Sequence, residues 1–279
     1  MMANPENANS EKLREIAKTL RLDVLDMTTK ARSGHPSSCF SSVEIVTVLY
    51  FGGILKYRPS DPWWPERDRF IMSKGHAAPL LYAALARAGY FEVEKLSTLR
   101  QLNSPLQGHP IQRLVPGVEA TTGSLGQGLS IGIGHVLGGR LKGLDYRVYV
   151  LLGDGECEEG QIWEAAMAAA HFKTSNLTAI LDYNKYQETG PISREMNLEP
   201  LVEKWKSFGW YVTEVDGHNI EDLIKSFSEV TNIDDRPQII IAHTVKGKGV
   251  SFIEADYRFH GKALTEEQAE KARKEILCN

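Results

Sequence analysis

The chain has 279 residues, 42% of them hydrophobic and 24% charged, with a formal net charge of −4 at pH 7. That length accommodates one large α/β domain with an ample core, and the composition is that of an ordinary globular protein rather than a disordered or fibrous one. The mild acidity argues against a nucleic acid or an anionic membrane as partner, so any anionic ligand must be held by local positive groups.

The first residues, MMANPENANSEK, are polar and lack the apolar core of a secretory signal. They read as a flexible lead over residues 1–10, followed by a single domain over 11–279. A helix is expected from Ser10, a residue type suited to N-capping. Leu13, Ile16, Ala17, Leu20, Val24 and Met27 recur along it at helical spacing. Ser33-Gly34 ends it. A second helix covers Ser42 to Phe51 and closes at Gly52-Gly53. Arg58 to Arg67 is a structured loop whose Trp63-Trp64 pair reads as packing rather than a binding platform. Arg69 to Met72 is a short strand that delivers Ser73-Lys74-Gly75-His76, and Ala77 to Ala88 is a helix. Pro105 to Gly128 is rich in Gly and Pro, and a loop that long inside a compact domain is usually functional. Gly128 to Arg140 is a small-residue helix.

Val148 to Leu152 and Leu177 to Leu181 are short apolar runs that read as buried strands. The Ala-rich stretch Gln161 to Lys173 between them forms helix. A helix at Glu199 to Phe208, a strand at Tyr211 to Val215, a helix at Ile220 to Val230 and a strand at Gln238 to Ala242 continue the alternation. The chain is therefore read as α/β, with a parallel β-sheet flanked by helices on both faces. A charged helix capped by Thr265 runs to Leu277. No apolar stretch approaches the roughly 20 residues that span a bilayer. Cys39, Cys157 and Cys278 are an odd set without metal-ligand spacing, which fits a reducing cytoplasm.

The chemistry concentrates where the first two of those apolar strands end. Gly153-Asp154-Gly155 follows one, and Asp182-Tyr183-Asn184 follows the next. Open α/β sheets bind ligands at strand C-terminal ends. Asp154 and Asn184 are hard oxygen donors. Mg²⁺ takes six oxygens in near-octahedral geometry and is usually shared with substrate phosphates. Gly155 permits close approach to a phosphate, and the next helix can direct its N-terminus at that anion. A GDG triplet alone reads equally as an acidic helix start. The second ligand at the neighbouring strand end turns it into a metal–diphosphate site.

GDGECEEG with DYN resembles the thiamine-diphosphate fingerprint, and the chain from about residue 10 to about 265 resembles the N-terminal, diphosphate-binding part of transketolases. Ser33-Gly34-His35-Pro36, Ser73-Lys74-Gly75-His76-Ala77, Gly108-His109-Pro110, the run Thr122 to Gly128, and Phe259-His260-Gly261-Lys262 occur in that family's order. The resemblance implies thiamine diphosphate with Mg²⁺, for which Ca²⁺ or Mn²⁺ could substitute. It makes Asp154, Asn184 and the main-chain oxygen of Tyr186 the metal ligands. It assigns Ser38, His76, Gly155, Asn184, Lys246 and His260 to the cofactor, and Gly123, Ser124 and Leu125 to orienting its rings. His35, His109 and His260 would contact the sugar and move its protons, a task suited to imidazole. Glu159 joins this set as a glutamate at the subunit interface that links two active sites. Eight histidines are present; His135, His171, His218 and His243 have no motif around them and read as structural.

Full-length members of that family add a pyrimidine-binding domain and a C-terminal domain. The glutamate that protonates the cofactor's aminopyrimidine, and the arginines that grip sugar phosphates, belong to those domains. The chain ends in a helix, which suggests a natural end. It is therefore expected to be the N-terminal subunit of a split transketolase, joined by a separate C-terminal subunit in an α₂β₂ assembly that acts on sugar phosphates. Two alternatives stand beside this. One is a deoxyxylulose phosphate synthase-like or 2-oxo acid dehydrogenase E1-like component. The other is a non-catalytic scaffold.

Overall fold

The computed structural model describes residues 9–278, so most of the lead expected over residues 1–10 lies outside the described residues. Helix α1 (Ser10–Ala31) is capped by Asn9, whose side chain accepts a hydrogen bond from the Lys12 amide. The expected cap, Ser10, is instead the first helical residue; Ser and Asn both satisfy the capping pattern, and the geometry selects the earlier one. Short helix α2 (Pro36–Phe40) precedes α3 (Val43–Phe51). Strand β1 (Arg69–Met72) leads through a 3₁₀ turn at Gly75–Ala77 into α4 (Ala78–Arg87). Apart from a 3₁₀ segment at Val93–Thr98, no helix or strand intervenes before α5 (Gln127–Leu141).

Strand β2 (Val148–Gly153), helix α6 (Gly160–His171) and strand β3 (Leu177–Tyr183) form the expected βαβ unit. Next come α7 (Ile192–Glu195), α8 (Leu201–Ser207), β4 (Tyr211–Asp216), α9 (Ile220–Thr231), β5 (Gln238–His243) and α10 (Glu266–Cys278). Thr265 caps α10 as expected. Its Oγ1 accepts from the Gln268 amide at 3.2 Å while its own amide donates to Gln268 Oε1 at 3.0 Å, a reciprocal capping box.

The five strands are all parallel, in the order β1-β2-β3-β5-β4. Side chains alternate between two cores as the pleat requires. Phe70, Met72, Tyr149, Leu151, Ile180 and Ile240 pack with α1, α3, α4, α9 and α10 on one face. Ile71, Val150, Leu152, Ala179, Leu181 and Ile239 pack with α5, α6 and α8 on the other. Both faces are covered, which is why the strands read as continuous apolar runs.

The sheet grows in one direction from β1 to β3 and then to the edge strand β4, with α5, α6 and α8 on one side. The chain then turns back to place β5 beside β3, and α9 lies on the opposite side. Right-handed crossovers dictate that exchange, because reversing the direction of growth reverses the face that receives the helix. All five strands point the same way, so Ser73, Asp154, Asn184, Gly217 and Thr244 follow their C-terminal ends along one edge.

Candidate active site

A cleft of about 480 Å³ opens along that edge. Beneath it sits a buried ion pair between Lys74, after β1, and Asp182, in β3. Asp182 also accepts from Ser41 Oγ at 2.6 Å, from Asn184 Nδ2 at 3.1 Å and from Thr244 Oγ1. Burial alone would raise its pKa, but Lys74 and these donors hold it down to about 2. Asp182 is therefore a committed anion with its oxygens already used.

Asp154 is placed differently. Its two oxygens accept the backbone amides of Gly155 and Lys185. Burial, and then the Asp182 charge, push its pKa up to about 7. A cation against this carboxylate would reverse that penalty. Asn184 follows at the end of the neighbouring strand. Its Nδ2 donates to Asp182 and its Oδ1 accepts from the Tyr186 amide at 3.1 Å, which fixes the end of the side chain that carries oxygen. Lys185 between them adopts φ 71°, so the backbone folds tightly over this spot. Among the described residues no three His, Cys, Asp or Glu side chains could share an ion. Asp154 and Asn184 offer hard oxygen atoms, the donor type that Mg²⁺ takes.

Lys246 supplies the positive charge. It is 1% exposed, yet no carboxylate lies within ion-pair distance of it among the described residues. Its Nζ donates to Ser38 Oγ at 3.1 Å and to His260 Nδ1 at 3.0 Å. Burial, and then the neighbouring Lys74, lower its pKa to about 8. Buried charges are ordinarily paired, so this one fits an anionic ligand such as a diphosphate. Ser38 is gripped from both sides, since Lys74 donates to its carbonyl at 2.8 Å.

Four imidazoles line the cleft, those of His35, His76, His109 and His260, and three of them cluster. The ring centroids of His35, His76 and His260 lie 5.0 to 5.5 Å apart. Burial, followed by Arg100 and Lys246, lowers His35 to about 4. Burial and Lys246 lower His260 to about 3. Burial and Lys74 lower His76, and burial and Arg100 lower His109. Their imidazoles are therefore neutral at physiological pH. The Nδ1 of His35 is buried without a protein partner. Tyr82 donates to the His109 carbonyl at 3.2 Å, fixing that loop from below.

The Gly123 loop crosses directly over the segment after β1. A Cβ on Gly75 would stand 2.8 Å from the Gly123 nitrogen, so only glycine lets these backbones touch. Gly123 and Leu125 line the cleft, as do Gly155 and Glu159. Of the residues expected at the site, only Ser124, exposed between Gly123 and Leu125, does not line it. The helix expected after Gly155 is preceded by a 3₁₀ turn at Gly155–Glu158. Of the four histidines read as structural, His218 accepts from the Val245 amide at 2.8 Å and meets Glu44 at 3.0 Å, shaping the segment that presents Lys246. Nothing in the sequence around His218 signals that role.

The depressed histidines carry a stability consequence. The unfolded chain takes up protons at these positions first as pH falls. Their contribution is therefore complete above the ordinary value of about 6.5 and is lost as pH falls toward the folded values of about 4 and about 3. The drop in melting temperature between about pH 7.5 and about pH 5 is expected to be smaller in His35→Gln than in the unsubstituted chain. Equal drops would contradict this.

Residues 12–279 match the family model described as transketolase, thiamine diphosphate binding domain. The chain is 42% identical over 265 residues to the 6-deoxy-6-sulfo-D-fructose transketolase subunit of Clostridium sp., an alignment covering 95% of this chain and 96% of that protein. It is 41% identical over 256 residues to an apulose-4-phosphate transketolase subunit of Phocaeicola vulgatus, covering 92% of this chain and 90% of that one. Among solved structures, transketolase from Campylobacter jejuni superposes with a TM-score of 0.90 at 34% identity, covering 96% of this chain but 43% of that chain. The chain thus spans nearly all of two subunit relatives and under half of a longer transketolase. No helix among the described residues is long and apolar enough to cross a membrane.

Proposed function

The chain belongs to the transketolase family, in its thiamine diphosphate binding part, and from that premise we propose that it is the N-terminal subunit of a two-component transketolase. It transfers a two-carbon ketol unit from a ketose to an aldose, with thiamine diphosphate and Mg²⁺, and works only with a separate C-terminal subunit. The observation that carries this is the make-up of one cleft: an oxygen-donor pair, a buried lysine with no carboxylate at ion-pair distance among the described residues, and four neutral imidazoles.

Thiamine diphosphate, when bound, supplies the electron sink for breaking and remaking the ketose carbon–carbon bond. This chain's residues do the rest. Asp154, Asn184 and the Tyr186 carbonyl hold the metal. Lys246, Ser38, His76 and Gly155 receive the diphosphate, with Lys246 already aimed by its bonds to Ser38 and His260. The Gly123-Ser124-Leu125 loop orients the rings. His35, His109 and His260 hold or move protons on the sugar hydroxyls. His260 accepts from Lys246 at Nδ1, so Nε2 is the atom that carries its proton. Glu159, exposed at the cleft rim, faces a neighbouring subunit.

The partner brings the pyrimidine-binding domain, and two copies of each chain close with two-fold symmetry as α₂β₂. Two similar proteins are named subunits and are nearly matched in length by this chain, which supports that division. The names of those relatives span a deoxysulfofructose and an apulose phosphate. Donors carrying either kind of anion therefore belong in the substrate screen, and a cytoplasmic location suits them. The test is reconstitution with the candidate partner, followed by a screen of ketose donors and of pyruvate. Ketose-dependent transfer by the pair, with none by this chain alone, is expected. Release of CO₂ from pyruvate, or full turnover by the single chain, would overturn the proposal.

A further inference from the structure

Glu156 lies two residues beyond Asp154, in a stretch whose sequence suggests a solvated acidic helix start. The structure turns it inward, 2% exposed. Its Oε1 accepts from Ser73 Oγ and from the Gly126 amide at 2.9 Å, and its Oε2 accepts from the Gly153 amide at 3.0 Å. No Lys or Arg pairs with it among the described residues. A buried carboxylate without a cation is costly unless its hydrogen bonds are met, and here one carboxylate is met from three separate segments. Ser73 opens the segment that carries Lys74 and His76. Gly126 closes the Gly123-Ser124-Leu125 loop, in a left-handed conformation with φ 84°. Gly153 opens the turn that carries Asp154.

We propose that Glu156 is a positioning residue: it staples the Gly123–Leu125 loop and the Lys74–His76 segment to the Asp154 turn, and so fixes the ring-orienting loop relative to the metal ligand. The inference rests on the proposed function, because it gives that cleft one cofactor to hold at both ends. A leucine of similar volume would pack but leave three donors unmet. Glutamine would accept at one end and set an N–H against an N–H at the other.

The test uses this chain reconstituted with its partner, comparing Glu156→Gln, Ser73→Ala and the destabilising control Val230→Ala. Val230 is fully buried near the opposite edge of the sheet. Three quantities are read: thiamine diphosphate affinity in Mg²⁺ by calorimetry, turnover at saturating cofactor, and hydrogen exchange at the Gly126 and Gly153 amides. Glu156→Gln should weaken cofactor binding by roughly tenfold or more, the scale of losing a charged hydrogen-bond acceptor. It should also lower kcat at saturating cofactor with little change in ketose KM, and speed exchange at both amides. Ser73→Ala should move the same readouts in the same direction by less, and it serves if Glu156→Gln does not fold. Val230→Ala should lower the melting temperature and leave cofactor affinity unchanged.

Unaltered affinity and exchange in Glu156→Gln would overturn the staple. So would an affinity loss matched by Val230→Ala at equal loss of melting temperature. If the unsubstituted complex takes up no thiamine diphosphate, the functional proposal itself fails and the positioning role falls with it. That result is distinct from normal uptake by every variant, which removes the positioning role alone.

Discussion

Asp154→Ala is expected to abolish thiamine diphosphate binding in Mg²⁺ and ketol transfer with it, while the cofactor-free fold keeps its stability. The two halves of that result have one cause. Asp154 is buried beside Asp182, and both burial and that neighbouring charge disfavour its ionised form. Alanine removes this penalty and sacrifices only hydrogen bonds to the Gly155 and Lys185 amides. It also removes one of two side-chain oxygens available to the ion. Losing a mere supporting partner of a metal ligand costs roughly 10- to 100-fold in affinity, so losing a ligand should exceed about 100-fold. Calorimetric titration reads the first half, and thermal unfolding in chelator reads the second. Native affinity in the variant would remove the metal site from the cleft. A collapse of the chelated fold would make Asp154 a structural residue.

Asp182→Ala should do the reverse, unfolding the protein more than it changes the chemistry. The substitution leaves Lys74 buried and unpaired, and strips Ser41, Thr244 and Asn184 of their common acceptor. Breaking a buried pair from one side costs about 3–5 kcal/mol. Against a typical total of about 5–15 kcal/mol, that is a large share. Denaturant melts should show the loss as a lower midpoint. Removing both charges, as Lys74→Met with Asp182→Leu, should recover much of it, because the penalty belongs to the orphaned charge. A loss below about 1 kcal/mol in the single variant would mean that the pair is not a keystone of the sheet edge.

The parallel sheet and the placement of Asp154 and Asn184 at neighbouring strand ends were legible in the sequence for a shared reason. Strands buried on both faces are apolar throughout, and a polar residue just after such a run falls at the strand end. Asp154 and Asn184 therefore announced themselves by type and place. The network under them did not. Lys74 and Asp182 are 108 residues apart, and only the pairing of β1, β2 and β3 makes them neighbours. Asp182 stands in the same DYN triplet as Asn184, yet nothing local says which of the two is spent on a lysine and which remains free for an ion. Glu156 was hidden because an acidic residue after GDG is what a helix dipole favours anyway. Helices α2 and α7 are five and four residues long, too short for periodicity to register. Asn9 and Ser10 are adjacent residues of equal capping quality, so only the backbone could choose between them.

Lys246 is buried with no carboxylate at ion-pair distance among the described residues, so an anionic coenzyme that settles against it would link its own uptake to folding. A ligand that binds only the folded state stabilises it by mass action, by about 2.7 kcal/mol at a hundredfold excess over Kd. Proteases act on the transiently opened fraction. Chain loaded with coenzyme is therefore expected to outlast coenzyme-free chain under limited proteolysis.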